Sequence, residues 1–161
     1  MMNQDQTAED ARVIPESLTE RWAELADLVL SISREIQFRG YTSPEAISLS
    51  IPEGTVMRYL HRHPGAPPSQ IAEATGLQRT NVSSALRSLE ANGLIERRDC
   101  PEDRRGSRIY PTPLGTSNYT LVRQEWASLL SAAAGQADSL AATLELLAHI
   151  EQGLVAMRQG S

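Results

Sequence analysis

Residues 69–97 decide the fold, and they read SQIAEATGLQRTNVSSALRSLEANGLIER. Apolar residues recur there at helical spacing, which predicts a short helix over residues 69–75 and a longer helix over residues 79–92. Gly76 and Gly93 follow these two segments, and glycine readily adopts the left-handed backbone that ends a helix. The stretch is therefore expected to form two helices joined by a tight turn.

Upstream of this stretch the sequence predicts three further helical segments. A stripe of apolar residues spaced four and three apart indicates a helix of about 20 residues that ends near Gly40. The stripe consists of Leu18, Trp22, Leu25, Val29, Ile32 and Ile36. A short helix is expected at residues 45–49. The third segment begins at a capping box formed by Ser50 and Glu53, in which each side chain satisfies a backbone donor of the other.

Downstream of this stretch the pattern changes from helix to strand. Residues 94–98 and 107–110 are predicted to be two short strands of a β-hairpin that carries a protruding charged loop. Thr112 is then expected to begin a long helix that reaches about Ala134. Asp138 is expected to cap a last helix.

This order of elements is typical of a winged helix-turn-helix, in which the second helix enters the major groove of DNA. The buried face of residues 79–92 takes Val82, Leu86 and Leu89. The outward residues are hydrogen-bonding side chains or guanidinium groups, namely Arg79, Thr80, Asn81, Ser83, Ser84 and Arg87. No acidic residue precedes Glu90 in this helix, although a solvated face of an acidic chain should carry some. We interpret the face as a DNA-reading surface.

The charge distribution agrees with this interpretation, although the whole chain has a net charge of −5. Residues 58–110 hold nine arginines and six acidic residues, so the middle of the chain is positive. A local positive field, rather than the total charge, attracts nucleic acid. All basic residues are arginine, which a GC-rich coding bias also explains.

Residues 54–115 resemble the DNA-binding core of the multiple-antibiotic-resistance regulator (MarR) family. The resemblance is carried by Ile71-Ala72-Glu73, Gly76-Leu77, Val82, Leu89-Glu90, Gly93-Leu94-Ile95-Glu96-Arg97, Pro101-Glu102-Asp103-Arg104-Arg105, Thr112 and Gly115. The family pattern has an Asp-x-Arg in the wing and a Thr-x-x-Gly that opens the next helix, and both occur here. The chain departs from the pattern at Gln78, where the family usually has Asp or Ser as the N-cap of the recognition helix.

The resemblance implies a mainly α (α+β) fold, with a winged helix-turn-helix core and flanking helices that form a dimerisation region. The expected organisation is a disordered arm at residues 1–14, N-terminal dimerisation helices at 15–49, a DNA-binding domain at 50–111 and C-terminal dimerisation helices at 112–161. The apolar stripes of the terminal helices exceed what the small winged core can cover, which also favours a homodimer.

The resemblance further implies a sequence-specific transcriptional regulator of double-stranded DNA. We expect a repressor that a small-molecule effector releases from a pseudo-palindromic operator. On the wing, Asp103 and Arg105 are two residues apart and so point to the same side of an extended strand. The Asp103 carboxylate is expected to orient Arg105 into the minor groove, and Arg104 is expected to contact phosphate.

Small aromatic or phenolic effectors lodge between the winged core and the dimer helices in proteins that this chain resembles. The candidate lining residues are Trp22, Phe38, Met57 and Tyr59, with Arg58 or His61 as the polar partner. An ordinary structural role in the core explains the aromatic residues equally well.

Two alternatives to an effector-released repressor stay open. One is a redox- or metal-responsive regulator that uses Cys100, which is flanked by arginines, or the pair His61 and His63. His149 is the only other histidine. The second alternative is a winged-helix scaffold protein without a ligand response.

Other classes of protein are disfavoured. The chain has no Gly-rich phosphate loop and no nucleophile elbow, so we expect neither an enzyme nor a bound cofactor or metal. Cys100 is the single cysteine, which excludes an intrachain disulfide and fits a cytoplasmic protein. No apolar run approaches the ~20 residues that span a bilayer, so no membrane partner is expected.

Overall fold

The computed structural model describes residues 16–99, 107–135 and 137–160. Within them the elements are α1 (Glu16–Arg39), α2 (Ile51–Arg62), α3 (Pro68–Thr75), α4 (Arg79–Ala91), β1 (Ile95–Asp99), β2 (Ser107–Pro111), α5 (Pro113–Ala134) and α6 (Leu140–Gln159). The chain divides after Gly40 into two compact units, and the second unit contains every element after α1. The mainly helical fold with one small sheet is confirmed. The arm predicted at residues 1–14 lies outside the described residues.

The core of the second unit is built by α2, α3, α4 and the hairpin. Its fully buried side chains are Val56, Met57, Leu60, Ile71, Val82, Leu86, Leu89, Leu94 and Ile109. The predicted inward face of α4 is therefore confirmed, because Val82, Leu86 and Leu89 all belong to this core. Burial of one helical stripe leaves the opposite face of α4 to solvent.

The hairpin is antiparallel, with Ile95 opposite Pro111 and Asp99 opposite Ser107. Ala66 adds a single bridge to Ile109, so the segment between α2 and α3 extends the sheet by one residue. Only Ile95 and Ile109 of the two strands are buried. The hairpin therefore packs on the core at its base, and its outer end leads to residues 100–106, which lie outside the described part of the chain.

Thr112 and Gly115 join α4, the hairpin and α5 in one junction. The Thr112 hydroxyl donates to the Gly93 carbonyl at 2.6 Å and accepts from the Gly115 N–H at 3.0 Å. The Thr112 N–H donates to the Leu94 carbonyl at 3.0 Å. Gly115 is buried, and a Cβ on it would overlap the Leu94 carbonyl oxygen. The Thr-x-x-Gly pattern thus fixes the start of α5 relative to the hairpin.

The short helix predicted at residues 45–49 is wrong, because residues 47–50 are irregular and residues 44–46 form a turn. We call residues 41–50 the strap. Several of its backbone groups bond to α5, since Ile47 donates to Asn118 Oδ1 at 2.8 Å and accepts from Asn118 Nδ2 at 3.1 Å. The N–H groups of Thr42 and Ser43 donate to the Glu125 carboxylate at 2.9 and 2.7 Å. The N–H groups of the strap, Thr42 first, lower the pKa of Glu125 below its usual value.

Replacing Asn118 by alanine is expected to destabilise the protein by about 2 kcal/mol, because both Ile47 backbone groups lose their partner. Asn118 is the one polar residue among the buried side chains of the described chain. Urea denaturation measures the effect, with exposed Ser117→Ala as the control on the same helix. Equal stability of the Asn118 variant and the control would contradict the role of Asn118 in holding the strap.

The helix starts were predicted with mixed success. Ser50 and Glu53 form the expected capping box, in which the Glu53 carboxylate accepts from the Ser50 N–H at 2.6 Å. The cap predicted at Asp138 is wrong by one residue, since α6 begins at Leu140 and Ser139 is its N-cap. Ser139 makes no side-chain cap bond there. Neighbouring Asp and Ser residues are both good caps, so the sequence alone does not choose between them.

Candidate nucleic-acid interface

The outward face of α4 is the strongest candidate for contact with nucleic acid. All six predicted residues, Arg79, Thr80, Asn81, Ser83, Ser84 and Arg87, are exposed. Arg87 Nε makes a 3.4 Å hydrogen bond to the Ser83 carbonyl, so its guanidinium lies along the helix surface. The face thus presents hydrogen-bond donors and acceptors for base edges and phosphates.

The N-terminus of α4 is open and carries no acidic residue in its first turn. Gln78 occupies the N-cap position and makes no side-chain cap bond. The first N–H groups of a helix without such a cap need an external acceptor, and a phosphate at this end satisfies them and the helix dipole together. The departure from the family pattern at Gln78 therefore leaves a suitable place for a DNA phosphate.

Glu53 links the start of α2 to Ser88 of α4. Desolvation by burial raises its pKa, but hydrogen bonds from Ser88 of α4 and from Ser50 outweigh that effect, and the pKa of Glu53 lies below its usual value. The carboxylate is therefore ionised at neutral pH, and it holds α4 at Ser88. Ser88 itself is only partly exposed.

The described arginines of the hairpin are held by contacts within the protein. Arg97 Nε lies 3.0 Å from Glu90 Oε2, and Arg98 Nε lies 2.8 Å from Glu96 Oε1. Arg98 also lies over the Tyr110 ring, 4.3 Å from its centroid. These contacts engage both arginines of β1 within the protein. Asp103, Arg104 and Arg105 of the predicted wing contact, and Cys100, lie outside the described residues.

The predicted effector residues lie at different places in the structure. Trp22 and Phe38 belong to α1, in the other compact unit, where they are 43% and 86% exposed. Met57 is fully buried in the core of the second unit. Arg58 and Tyr59 both line a cleft between α2, α3 and α6.

The two histidines of α2 and its C-cap have different neighbours. The His61 ring packs on Tyr119 of α5 with centroids 4.5 Å apart, and the His63 ring packs on Tyr59 at 4.7 Å. No group of three or more possible metal ligands occurs within residues 16–99, 107–135 and 137–160. The metal-sensing alternative therefore gains no support from the described residues.

Sequence reasoning did not find the rest of the cleft. Arg62 of α2 and Arg158 and Glu151 of α6 also line it. Arg158 Nη2 donates to the Ala74 carbonyl at 2.6 Å, across 84 positions of the chain. No motif signals such a contact, because neither residue belongs to a recognisable pattern.

One described helix, α6, is long and apolar enough to cross a membrane, with a mean hydropathy of 1.2. This finding qualifies the expectation that no segment reaches the length of a membrane span. α6 also carries Glu145 and Glu151, and charged groups are costly within the hydrocarbon layer. The two carboxylates favour a helix that packs against protein.

Comparisons with known proteins give the same fold. Residues 47–106 match the model of the MarR family. A solved MarR-family transcription regulator is 26% identical over 88% of this chain and 93% of its own, with a TM-score of 0.58. Streptococcus pneumoniae FabT, solved in complex with DNA, is 24% identical over 88% of this chain and 97% of its own, with a TM-score of 0.61. Bordetella bronchiseptica BpsR is 17% identical over 81% of this chain and 98% of its own, with a TM-score of 0.61. Its DNA binding is described as regulated by 6-hydroxynicotinic acid.

Proposed function

We propose, from the match of residues 47–106 to the MarR family model, that the chain is a dimeric transcriptional repressor of double-stranded DNA. The observation that carries the proposal is the division of α4 into a buried apolar face and an exposed polar face without acidic residues before Glu90. A helix of this kind fits the major groove, whose width admits one α-helix. The DNA complex of the S. pneumoniae protein supports the same use of the fold.

A gel shift with the DNA that flanks the protein's own gene tests this function. We expect a discrete complex that survives an excess of unrelated duplex at physiological salt. A winged-helix scaffold protein would instead bind all duplexes weakly and equally, through phosphate contacts that salt disrupts.

The proposed dimer rests on the exposed apolar residues of the terminal helices. Neither α1 nor α6 has a buried residue. Large apolar side chains exposed on them include Leu18, Trp22, Val29, Ile32, Leu140, Leu144, Leu147, Leu154 and Met157. Monomeric proteins rarely leave so many large apolar side chains of a helix exposed, and we propose that a second copy of the chain covers them.

Sedimentation at micromolar concentration is expected to give twice the chain mass of 17.6 kDa. Leu144→Glu combined with Leu147→Glu should shift the protein toward the monomer, because two carboxylates would be buried without partners. Thr143→Glu adds a charge at a polar position of the same helix and is the control. A stable folded monomer of the unmodified chain would overturn the dimer.

We further propose that a small aromatic or phenolic effector weakens DNA binding. The B. bronchiseptica protein, whose DNA binding responds to 6-hydroxynicotinic acid, supports this class of effector. The candidate residues stay Trp22, Phe38, Arg58, Tyr59 and His61, whereas Met57 is fully buried in the core. By linkage, DNA must lower the affinity for the effector by the same factor. An effector screen by thermal unfolding, repeated with DNA present, tests both statements.

The proposed role of the wing is minor-groove contact by Arg105, oriented by Asp103, with Arg104 on phosphate. The pairing of β1 with β2 supports this role, since residues 100–106 connect these two strands. The narrow minor groove of A·T-rich DNA concentrates negative potential that attracts arginine.

A further inference from the structure

A cleft of about 630 Å³ lies between α2, the C-terminal end of α3 and the C-terminal half of α6. Its volume falls in the range of about 300–1,000 Å³ that is usual for small-molecule sites. Tyr59 and Val155 form an apolar wall of the cleft, and three arginines make it positively charged. The cleft lies on a different side of α2 from His61, which packs on α5.

The charge of the cleft is unbalanced. Arg58, Arg62 and Arg158 line it together with a single carboxylate, that of Glu151. The ion pairs found within the described part of the chain join Arg97 to Glu90 and Arg98 to Glu96, so they neutralise none of the three. Arg58 and Arg62 are also four residues apart on one helix, where like charges repel each other. A bound anion would relieve this repulsion.

Arg158 connects the cleft to the turn before the recognition helix. Its guanidinium donates to the Ala74 carbonyl at 2.6 Å, in the last turn of α3. Carbonyls at the end of a helix lack partners within the helix, and a cation is favourable there. The same guanidinium covers Gly76, which has a φ of +70° and leaves no space for a Cβ beneath the arginine. Gly76 begins the connection to α4.

We propose that this cleft binds a small organic anion with at least two negative charges, a polycarboxylate or a phosphorylated compound, through Arg58, Arg62 and Arg158. Guanidinium groups bind carboxylate and phosphate oxygens in pairs of parallel hydrogen bonds. The carbon skeleton of the ligand packs against Tyr59 and Val155. The aromatic effector discussed above needs one polar partner, whereas three guanidinium groups select for a multiply charged ligand.

The regulatory consequence of this site rests on the proposed function. An anion in the cleft competes with the Ala74 carbonyl for Arg158, and a charged acceptor makes the stronger hydrogen bond. Occupancy therefore changes the contact between α6 and the turn that leads to α4. Because the turn positions the recognition helix, anion and DNA affinities should change each other by the same factor.

Calorimetric titration of the full chain, without DNA and at constant ionic strength, tests the site with two probes, citrate and inorganic phosphate. We expect saturable binding of at least one probe, with one anion per chain. Binding of citrate alone would indicate a polycarboxylate ligand, and binding of phosphate would indicate a phosphorylated ligand. Arg58→Gln combined with Arg62→Gln, and separately Arg158→Gln, should each lower the affinity at least tenfold.

Arg123→Gln is the matched control, because Arg123 is exposed on α5 and does not line the cleft. It should leave the anion affinity unchanged, and circular dichroism verifies that all variants are folded. Binding of neither probe, or an equal loss in the Arg123 variant, overturns the site. If the Arg58 and Arg62 variant loses DNA affinity while neither anion binds, the arginines contact DNA phosphate and the proposal fails. Since the titration contains no DNA, failure of the proposed repressor function leaves its result intact.

Discussion

Replacing Arg79 and Arg87 together by alanine is expected to weaken binding to the specific DNA site by at least about a hundredfold, close to 3 kcal/mol. Both side chains are exposed on α4, so their replacement creates no cavity and removes only the DNA contacts that we propose for them. Removal of a base-reading arginine costs about 1–3 kcal/mol, and two such residues on one recognition helix give the expected total. Fluorescence anisotropy with a labelled duplex at physiological salt measures the change.

The control for this variant is Arg123→Ala, which removes an exposed arginine from α5. It should bind the specific DNA site like the unmodified protein, and both variants should unfold at the same temperature as the unmodified protein. If the double variant of α4 binds like the unmodified chain, α4 is not the recognition helix.

The same assay separates the wing from α4. Arg105→Ala should lower the affinity by about 1–3 kcal/mol, and Asp103→Ala by less, because the guanidinium then loses only its orientation. Loss of a base contact relaxes the preference at one position of the site. Loss of a phosphate contact weakens all sequences alike and reduces the salt dependence of binding. An Arg105 variant with unchanged affinity would contradict the wing contact.

Replacing Gly115 by alanine is expected to destabilise the fold by about 3 kcal/mol or more, the upper end for overpacking a buried position. The added Cβ would overlap the backbone carbonyl of Leu94, which has no rotamer that avoids it. Relief requires a shift of α5 or of the α4–β1 connection, and either shift breaks the hydrogen bonds of Thr112. The free energy of unfolding from urea denaturation measures the loss.

Gly54→Ala is the matched control, since it makes the same substitution in a helix where no atom beyond the adjacent residues and the helix's own backbone lies within 4 Å of the new Cβ. That change should stabilise α2 by about 0.5–1 kcal/mol, because alanine loses less entropy than glycine when a helix forms. Equal effects of the two substitutions would show that the Thr112 and Gly115 junction is not closely packed.

Local patterns predicted most of the fold. Apolar spacing and the glycines that follow each helix gave α4 to within one residue, because those signals act within a single element. Thr112 was correctly expected to start α5, since a threonine before proline is a local cap signal. The exposure of the six residues on α4 followed from the same periodicity.

Features that depend on distant residues could not be predicted in this way. The segment 45–49 has helix-forming composition, but its backbone is bonded by Asn118, which lies 71 positions away. The cleft forms because α6 returns to α2 and α3, and Arg158 meets Ala74 across 84 positions. The spacing of residues along the chain does not indicate either contact. Met57 illustrates the same limit, because apolar residues at helical spacing look alike whether they line a pocket or fill a core.

Selection of bound duplexes from a random DNA library tests the central claim, that the chain is a dimeric, sequence-specific DNA-binding protein. The expected result is enrichment of an inverted repeat whose half-site centres lie about 10 base pairs apart, with two chains on each duplex. The α4 variant without Arg79 and Arg87 should enrich no such sequence. The claim would be contradicted if the unmodified protein enriched no shared sequence, or if one chain bound each site and the site was asymmetric.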